Sequence, residues 1–547
     1  MLSSGADTHD VFNQSPPFVG VNLFTSDPAL GALVEGVPQA VNDQLVAHGQ
    51  AWGSPETFEL GRIANQYVPT LKTHDANGMR IDAVEFHPAY HALMRRSVAA
   101  GLHASTWDAT DAEANVRTLA RAARLFMTSQ VEAGHICPMT MTNASVAAIA
   151  HAPDLAEAWL PHIRSRQYDS SSRVMANKAG VTIGMGMTEK QGGSDVAANT
   201  TRAEDSRDGL WRITGHKWFF SAPMSDAHLV LAQTIEGPTC FLMPRFLPDG
   251  TKNAIRLIRL KDKLGNRSNA TSEAEFDGAG AYLVGEPGAG ISTIIDMVTL
   301  TRLDCAVASS GLMRLALAEA VHHVRYRKAF GATLIDQPLM TRVLADVALD
   351  VVAASALAFR LAESYDRAAN NPAEAAFARL MTPAAKYWIT KIASPVIGEA
   401  MEAIGGNGYI EESRLPRLYR EAPVNAIWEG AGNIMALDVM RVLRKSSEPL
   451  EVVLANIEDA LGSTAKSTLN VLRAATAVAL ADEGSARILT EQLAMTVAAA
   501  ALRRRFPSVI ADAFLETRLG KPWRSTYGML DSRFDAKAFL NYVCPAV

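Results

Sequence analysis

The chain has 547 residues, 48% of them hydrophobic and 20% charged, with a formal net charge of −5. That length exceeds what one hydrophobic core supports and implies two to four domains of ordinary soluble composition, while the acidic balance excludes nucleic-acid binding by bulk charge. Four cysteines, Cys137, Cys240, Cys305 and Cys544, stand far apart with no CxxC pair, which argues against a disulfide framework or a zinc site and suits a reducing cytoplasm.

Residues 1 to about 55 carry scattered Pro and Gly and read as an irregular arm. Asp7 and Asp10 stand where a signal peptide would be apolar. From Glu59 to about Arg166 apolar residues recur at helical spacing, as with Leu119, Ala122, Ala123 and Phe126 on one stripe. His87 and His91 are four apart, but Pro88 intervenes and no carboxylate is in register, so no metal site is expected. Between about Val181 and Gly285 the pattern changes to short runs such as 210–214, 228–232 and 239–243, separated by Gly, Pro and Asp. That is strand grammar. From Ile291 onward long Ala- and Leu-rich helical segments return. The longest nearly apolar run, Leu493 to Leu502, is far short of a bilayer span.

Two Gly-rich blocks carry the chemistry. The first is Gly186-Met-Thr-Glu-Lys-Gln-Gly-Gly-Ser-Asp195, where Gly192 and Gly193 permit backbone angles that a Cβ would forbid. Thr188 and Ser194, with the amides around them, can hydrogen-bond a polar ring or a phosphate. The second is Glu402-Ala-Ile-Gly-Gly-Asn-Gly-Tyr409, followed by Glu412, Arg417 and then Ile427-Trp-Glu-Gly-Ala-Gly-Asn-Ile434. With Lys263-Leu-Gly-Asn-Arg-Ser-Asn-Ala-Thr271 and Tyr326-Arg-Lys-Ala-Phe-Gly331, these blocks resemble the acyl-CoA dehydrogenase family of flavoproteins over roughly residues 60 to 445.

The resemblance implies an α+β, mainly helical fold. Its parts would be an arm and α-domain over 1–180, a β-barrel over 181–285, a helical bundle over 286–445 and an extra C-terminal helical domain over 446–547. It also implies FAD, an obligate homotetramer and a carboxylate base at Glu429. The base would remove a thioester α-proton from a pocket dried by Ile427 and Trp428. A plain alternative makes Glu429 a helix-start residue facing the dipole. For FAD, Met185, Thr188 and Ser194 match positions at the isoalloxazine, and Phe219 and Ser221 match a Trp and a Thr that stack on the ring and bond it. Arg327 and Phe330 match residues that reach a neighbouring subunit's flavin, with an ordinary surface arginine as the plain alternative for Arg327. Gly405 and Gly406 match the backbone beside the pyrophosphate, and Asn433 sits at the adenine end.

Trp428 stands where the family has Tyr and narrows the pocket, which puts long acyl chains in doubt. Phe219-Phe220-Ser221 replaces Trp-Ile-Thr, and Glu402 replaces Gln. These departures and the long tail are similar to a subfamily of flavoproteins linked to DNA alkylation damage. That likeness implies weak double-stranded DNA binding and poor activity, of the isovaleryl-CoA type. It also places an Arg after the base, here Arg441, twelve residues on from Glu429. Its guanidinium would lower the carboxyl pKa on contact, but it serves equally well as a structural ion-pair partner. Within 501–547 eight basic residues oppose four acidic ones. Arg503, Arg504, Arg505, Arg518, Lys521 and Arg524 are either a phosphate-docking surface or a solvated helix face. Two functions follow: a DNA-associated flavoprotein that protects DNA or inactivates alkylating agents, or a metabolic dehydrogenase of short branched acyl-CoA.

Overall fold

The computed structural model describes residues 11–108, 110–520, 526–527 and 533–546; Lys521 and Arg524 lie outside them. An N-terminal helical layer holds α1 (Pro28–Leu33), α2 (Gln39–Trp52), α3 (Pro55–Gln66), α4 (Pro88–Ala99), α5 (Arg117–Val131), α6 (Ile136–Ile149) and α7 (Pro153–Ile163). A hairpin of β1 (Thr70–His74) and β2 (Arg80–Glu85) interrupts it. The expected irregular arm is therefore partly helical. Val41, Leu45, His48 and Trp52 form one buried face of α2, a stripe hidden among polar residues and flanked by Pro38 and Gly53.

The strand-rich middle is β3 (Ile183–Gly186), β4 (Arg202–Asp205), β5 (Trp211–Ser221), β6 (Ala227–Thr234), β7 (Gly237–Pro244), β8 (Ile255–Leu260) and β9 (Thr271–Val284). In the sheet order β3-β6-β4-β5-β9-β7 the strands from β6 to β7 close into a ring because β7 also pairs with β6, while β3 hangs on β6 and β8 on β9. Closure removes the exposed edges that a flat sheet of these Val-, Leu- and Phe-rich strands would present. Phe220, Phe241 and Phe276 fill the interior.

Three long helices follow, α8 (Gly290–Tyr326), α9 (Pro338–Arg367) and α10 (Pro372–Ile404), then α11 (Gly406–Tyr409), α12 (Leu415–Asn425) and α13 (Gly432–Lys445). The tail adds α14 (Glu448–Leu461), α15 (Ala465–Ala481), α16 (Ala486–Arg505), α17 (Ser508–Phe514) and α18 (Ala536–Val543). Its described buried residues belong to the same continuous apolar cluster as the bundle and the N-terminal helices, so among the described residues the tail shows no separate core. Its arginines are part of the joint. Arg518, with 4% of its side chain exposed, bridges Asp346 at 2.7 Å and Asp350 at 2.8 Å on α9. Arg503 pairs with Asp512, Arg504 with Asp459 at 2.9 Å and Arg505 with Glu363.

This corrects the reading of Arg518 as a phosphate contact: a guanidinium buried between carboxylates cannot reach a duplex. Replacing Arg518 with Ala is expected to cost about 3–5 kcal/mol, the usual loss when one partner of a buried ion pair is removed. Chemical denaturation would read it as a lower midpoint.

Candidate active site

Glu429 lies in the turn between α12 and α13, at φ +59. A left-handed conformation costs a non-glycine residue on the order of 1–3 kcal/mol and persists only where the surroundings enforce it. Two long side chains do so. Lys386 of α10, 1% exposed, donates from Nζ to the carbonyls of Trp428 at 2.7 Å and Gly430 at 2.6 Å. Arg302 of α8 donates from Nε to the carbonyl of Glu429 at 3.0 Å. The turn is thus gripped on both sides of the residue, and its carboxylate accepts from the Thr301 hydroxyl at 2.7 Å.

Glu429 as a whole is only half-buried, yet its carboxyl lies deep enough for burial to be the largest effect on its proton. Burial raises its pKa above the ordinary carboxylate value, against the Thr301 hydrogen bond and the charges of Lys386 and Arg302. Burial also lowers the Lys386 pKa to about 8. A carboxylate with raised proton affinity, held in one rotamer, is what proton abstraction from a weak carbon acid requires. Thr301→Val removes a hydrogen bond to the charged form and should move the acid limb of the rate profile upward by roughly 1–2 units. An unmoved limb would detach Thr301 from the titration.

Arg441 is elsewhere. It is 69% exposed at its side chain and stands 3.3 Å from Asp438, one turn earlier on α13. Asp438 also takes Arg302 at 2.8 Å and Arg379 at 2.7 Å. The cations acting on Glu429 are Lys386 and Arg302, and its pKa is raised rather than lowered, which corrects the expected effect of Arg441. The structural ion-pair role is the one observed. Thr301, Arg302 and Lys386 were missed in the sequence. Their faint signal is a Lys amid the mostly apolar stretch Leu380 to Ile389 of α10 and a polar break, Thr299 to Asp304, in α8.

The expected flavin residues form two groups. Met185 and Met187 at the end of β3 pack, together with Trp428, against one core between barrel and α8, so the β3 methionines and the Glu429 turn share a support. Trp428 is steadied by donating from Nε1 to Asn425 at 3.0 Å. The carbonyl of Thr188 accepts from the Trp218 amide at 2.8 Å, and a Cβ on Gly193 would fall 2.2 Å from the Thr188 hydroxyl. Ser194 is exposed, Phe219 is 48% exposed with Lys261 5.0 Å above its ring, and the Ser221 hydroxyl lies 3.2 Å from that of Thr271.

The loop is locked by a pair the sequence reading did not assign. Lys217 and Glu189, both 0% exposed at the side chain, meet at 2.9 Å. Glu189 also accepts from the amides of Thr200 at 2.7 Å and Thr201 at 3.1 Å.

The second group gathers around the arm. Arg327 donates to the Asn13 carbonyl at 2.8 Å, and Asn407, beside Gly405 and Gly406, lies 3.4 Å from Gln14. Phe330 is 98% exposed. Gly405 adopts φ +78, and nothing stands within 4 Å of a Cβ at either glycine. Asn433 is exposed in the first turn of α13. No hydrogen bond or ring contact among the described residues joins this group to the barrel group within one chain.

An exposed aromatic face, a methionine wall, neighbouring hydroxyls and an open glycine corner fit a flavin dinucleotide. His87 caps α4 and His91 meets the Tyr168 hydroxyl at 2.9 Å. No cluster of three metal-ligating side chains occurs among the described residues.

Residues 13–170 match the adaptive response protein AidB N-terminal domain, 184–279 the acyl-CoA dehydrogenase middle domain and 288–444 the acyl-CoA dehydrogenase C-terminal domain. The chain is 52% identical over 445 residues to AidB of Escherichia coli (strain K12), covering 80% of this chain and 81% of that protein. The chain belongs to the acyl-CoA dehydrogenase family. It is also 33% identical over 476 residues to acyl-CoA dehydrogenase family member 11 of Caenorhabditis elegans, over 83% of this chain and 75% of that one. The solved structure of C. elegans ACDH-11 in complex with C11-CoA superposes with a TM-score of 0.82 at 28% identity, over 99% of this chain and 94% of that chain. The Bd2924 apo-form gives 0.82 at 27% identity, over 90% and 100%. As an acyl-CoA dehydrogenase family member with an AidB-type N-terminal domain, the chain is an FAD-dependent oxidoreductase of CH–CH bonds, in the expected fold class. Among the described residues no helix is long and apolar enough to cross a membrane.

Proposed function

We propose that the chain oxidises short, branched acyl-CoA thioesters between their α and β carbons, with Glu429 as the base. The observation that carries this is the Glu429 turn: a carboxyl with raised pKa, clamped by Lys386 and Arg302, on the core that also supports Met185 and Trp428. FAD, when bound, supplies the acceptor for the β-hydride. The chain's own residues do the rest. Met185, Thr188, Ser194, Phe219 and Ser221 would hold the flavin ring. Glu429 takes the α-proton on the carboxylate that faces Thr301, and Trp428 limits acyl length and excludes water. Arg327, Phe330, Gly405, Gly406 and Asn433 would serve the dinucleotide end across a subunit boundary in a homotetramer. The near-complete exposure of Phe330 supports that assembly.

Anaerobic titration of the yellow protein with isovaleryl-CoA and shorter thioesters tests the reading. Bleaching of the flavin that Glu429→Gln abolishes supports it. Tightly bound FAD with no bleaching by any thioester would sink it.

The finer part of the proposal sets this chemistry in the cytoplasmic response to DNA alkylation damage, with weak binding to double-stranded DNA and removal of alkylating agents. Its support is the AidB-type domain over 13–170. Arg503, Arg504 and Arg505 are poor candidates for the contact, since each already holds a carboxylate. DNA affinity that falls steeply between roughly 50 and 200 mM salt and survives Ala at all three positions is the expected result. Absence of salt-dependent binding would remove DNA from the proposal.

A further inference from the structure

Lys263, half-buried in the loop between β8 and β9, places all three of its ammonium protons inside the protein. Its Nζ donates to the Asn269 carbonyl at 2.7 Å, to the Thr271 hydroxyl at 3.1 Å and to Asn266 Oδ1 at 3.4 Å. Burial lowers its pKa to about 8, so at neutral pH the ammonium is still the main form. The loop is pinned as well. Asn266, at φ +55, donates to the Glu421 carboxylate from its amide at 2.6 Å and from Nδ2 at 2.8 Å. Glu421 belongs to α12, the helix that leads into the Glu429 turn.

An ammonium only donates, whereas a hydroxyl accepts and also donates once. Thr271, 4% exposed, therefore receives a proton from Lys263 and must direct its own elsewhere. Among the described residues the other polar partner of its hydroxyl is the Ser221 hydroxyl, at 3.2 Å. Two facing hydroxyls taken alone can donate in either direction. Lys263 removes that freedom. With the order reversed, the buried Thr271 proton would lack an acceptor, which is costly. Lys263 thus donates to Thr271 and Thr271 to Ser221. The Ser221 proton meets no acceptor among the described residues and is free for a bound ligand.

We propose that Lys263 is a positioning residue for the flavin: acting through Thr271, it fixes Ser221 as a hydrogen-bond donor toward the ring and so favours the reduced cofactor. This role rests on Ser221 being a ring contact, as proposed above. A donor aimed at a ring atom that gains electron density on reduction holds the reduced form more tightly than the oxidised one. Lys263 needs no contact with the cofactor for this, because its protons are already placed.

The test is the two-electron reduction potential of the bound FAD, measured by anaerobic equilibration with a reference dye. Thr271→Val keeps the shape of the side chain and breaks the relay. It should weaken binding of reduced relative to oxidised FAD by about tenfold, the worth of one hydrogen bond, which lowers the potential by about 30 mV. Ser221→Ala and Lys263→Met should lower it too, and Thr271→Ser, which restores the hydroxyl, should keep the wild-type value. In a Ser221→Ala background Thr271→Val should add nothing, since the donor it orients is already gone. The proposal is overturned if Thr271→Val or Lys263→Met keeps the wild-type potential while Ser221→Ala lowers it. It is also overturned if Thr271→Ser falls as far as Thr271→Val, or if Thr271→Val acts equally with and without Ser221. An unchanged potential in Ser221→Ala would sink the reading of Ser221 as a ring contact, and the role of Lys263 with it. Lys263 lies in a loop and Thr271 in β9, so misfolding of one variant leaves the other decisive.

Discussion

Glu429→Gln is expected to lose flavin reduction by acyl-CoA by about 10²–10⁴-fold, the usual contribution of a positioned general base, and at the same time to stabilise the protein at neutral pH. The first effect follows from removing the proton acceptor while leaving its shape. The second follows from the sign of the pKa shift. Burial raises the Glu429 pKa in the folded state, so the neutral carboxyl is favoured by folding. Its stabilising contribution is present below the unfolded value near 4.5 and is lost as pH rises through the higher folded value. At pH 7, above the unfolded value, the wild type therefore carries a folding penalty at this carboxyl, and glutamine does not. Thermal melts of the two proteins should differ at pH 7 and converge as pH approaches that unfolded value. A variant that is inactive but less stable at pH 7 would show that Glu429 is held as a structural anion by Lys386 and Arg302, and the base would have to be sought elsewhere. A gain in stability on disarming a site is common where function imposes strain or desolvation.

The local signals in the sequence were readable where chemistry follows spacing. Strands β5, β6 and β7 stand where short apolar runs were bounded by Gly, Pro and Asp, and the helices from α8 onward follow their Ala and Leu periodicity. Glu429 is placed by the block around it. What could not be read are partners far apart in the chain. Thr301 and Glu429 are 128 residues apart, and Arg518 reaches Asp346 across 172. A cluster of basic residues looks the same on paper whether it faces solvent or is consumed by carboxylates on another helix. Helix α13 begins at Gly432, after Glu429 rather than at it. Rotation counted from Glu429 therefore could not place Arg441, and the side chain went to Asp438. Lys386 was invisible for a different reason. A buried lysine inside an apolar helix has meaning only once two carbonyls are seen to converge on it.

Lys217→Ala should be the most damaging single change in the barrel. Lys217 and Glu189 are both fully buried and 2.9 Å apart, and Lys217 also donates to the Leu231 carbonyl at 2.9 Å. Burial pushes the Glu189 pKa up, but the Lys217 charge and the hydrogen bonds from Lys217, Thr201 and Thr200 outweigh it and hold the carboxyl well below the usual range. A depressed carboxylate stabilises the fold above its unfolded pKa and loses that contribution as pH falls through the folded value. Removing Lys217 leaves a charge in the interior with only amide and hydroxyl donors, which costs about 3–5 kcal/mol. The penalty should shrink as pH falls, because protonation of Glu189 relieves it. The chain from Thr188 to Ser194 hangs on Glu189, so FAD retention on a desalting column should fall with stability. Lys217→Met combined with Glu189→Gln removes both charges and should recover most of the stability. If FAD retention does not return with it, Lys217 and Glu189 act on the flavin through more than the anchoring of this loop. If the double variant is as unstable as Lys217→Ala alone, the unpaired charge is not the cause, and the loss lies in the packing between β5 and β6 that the lysine stem fills.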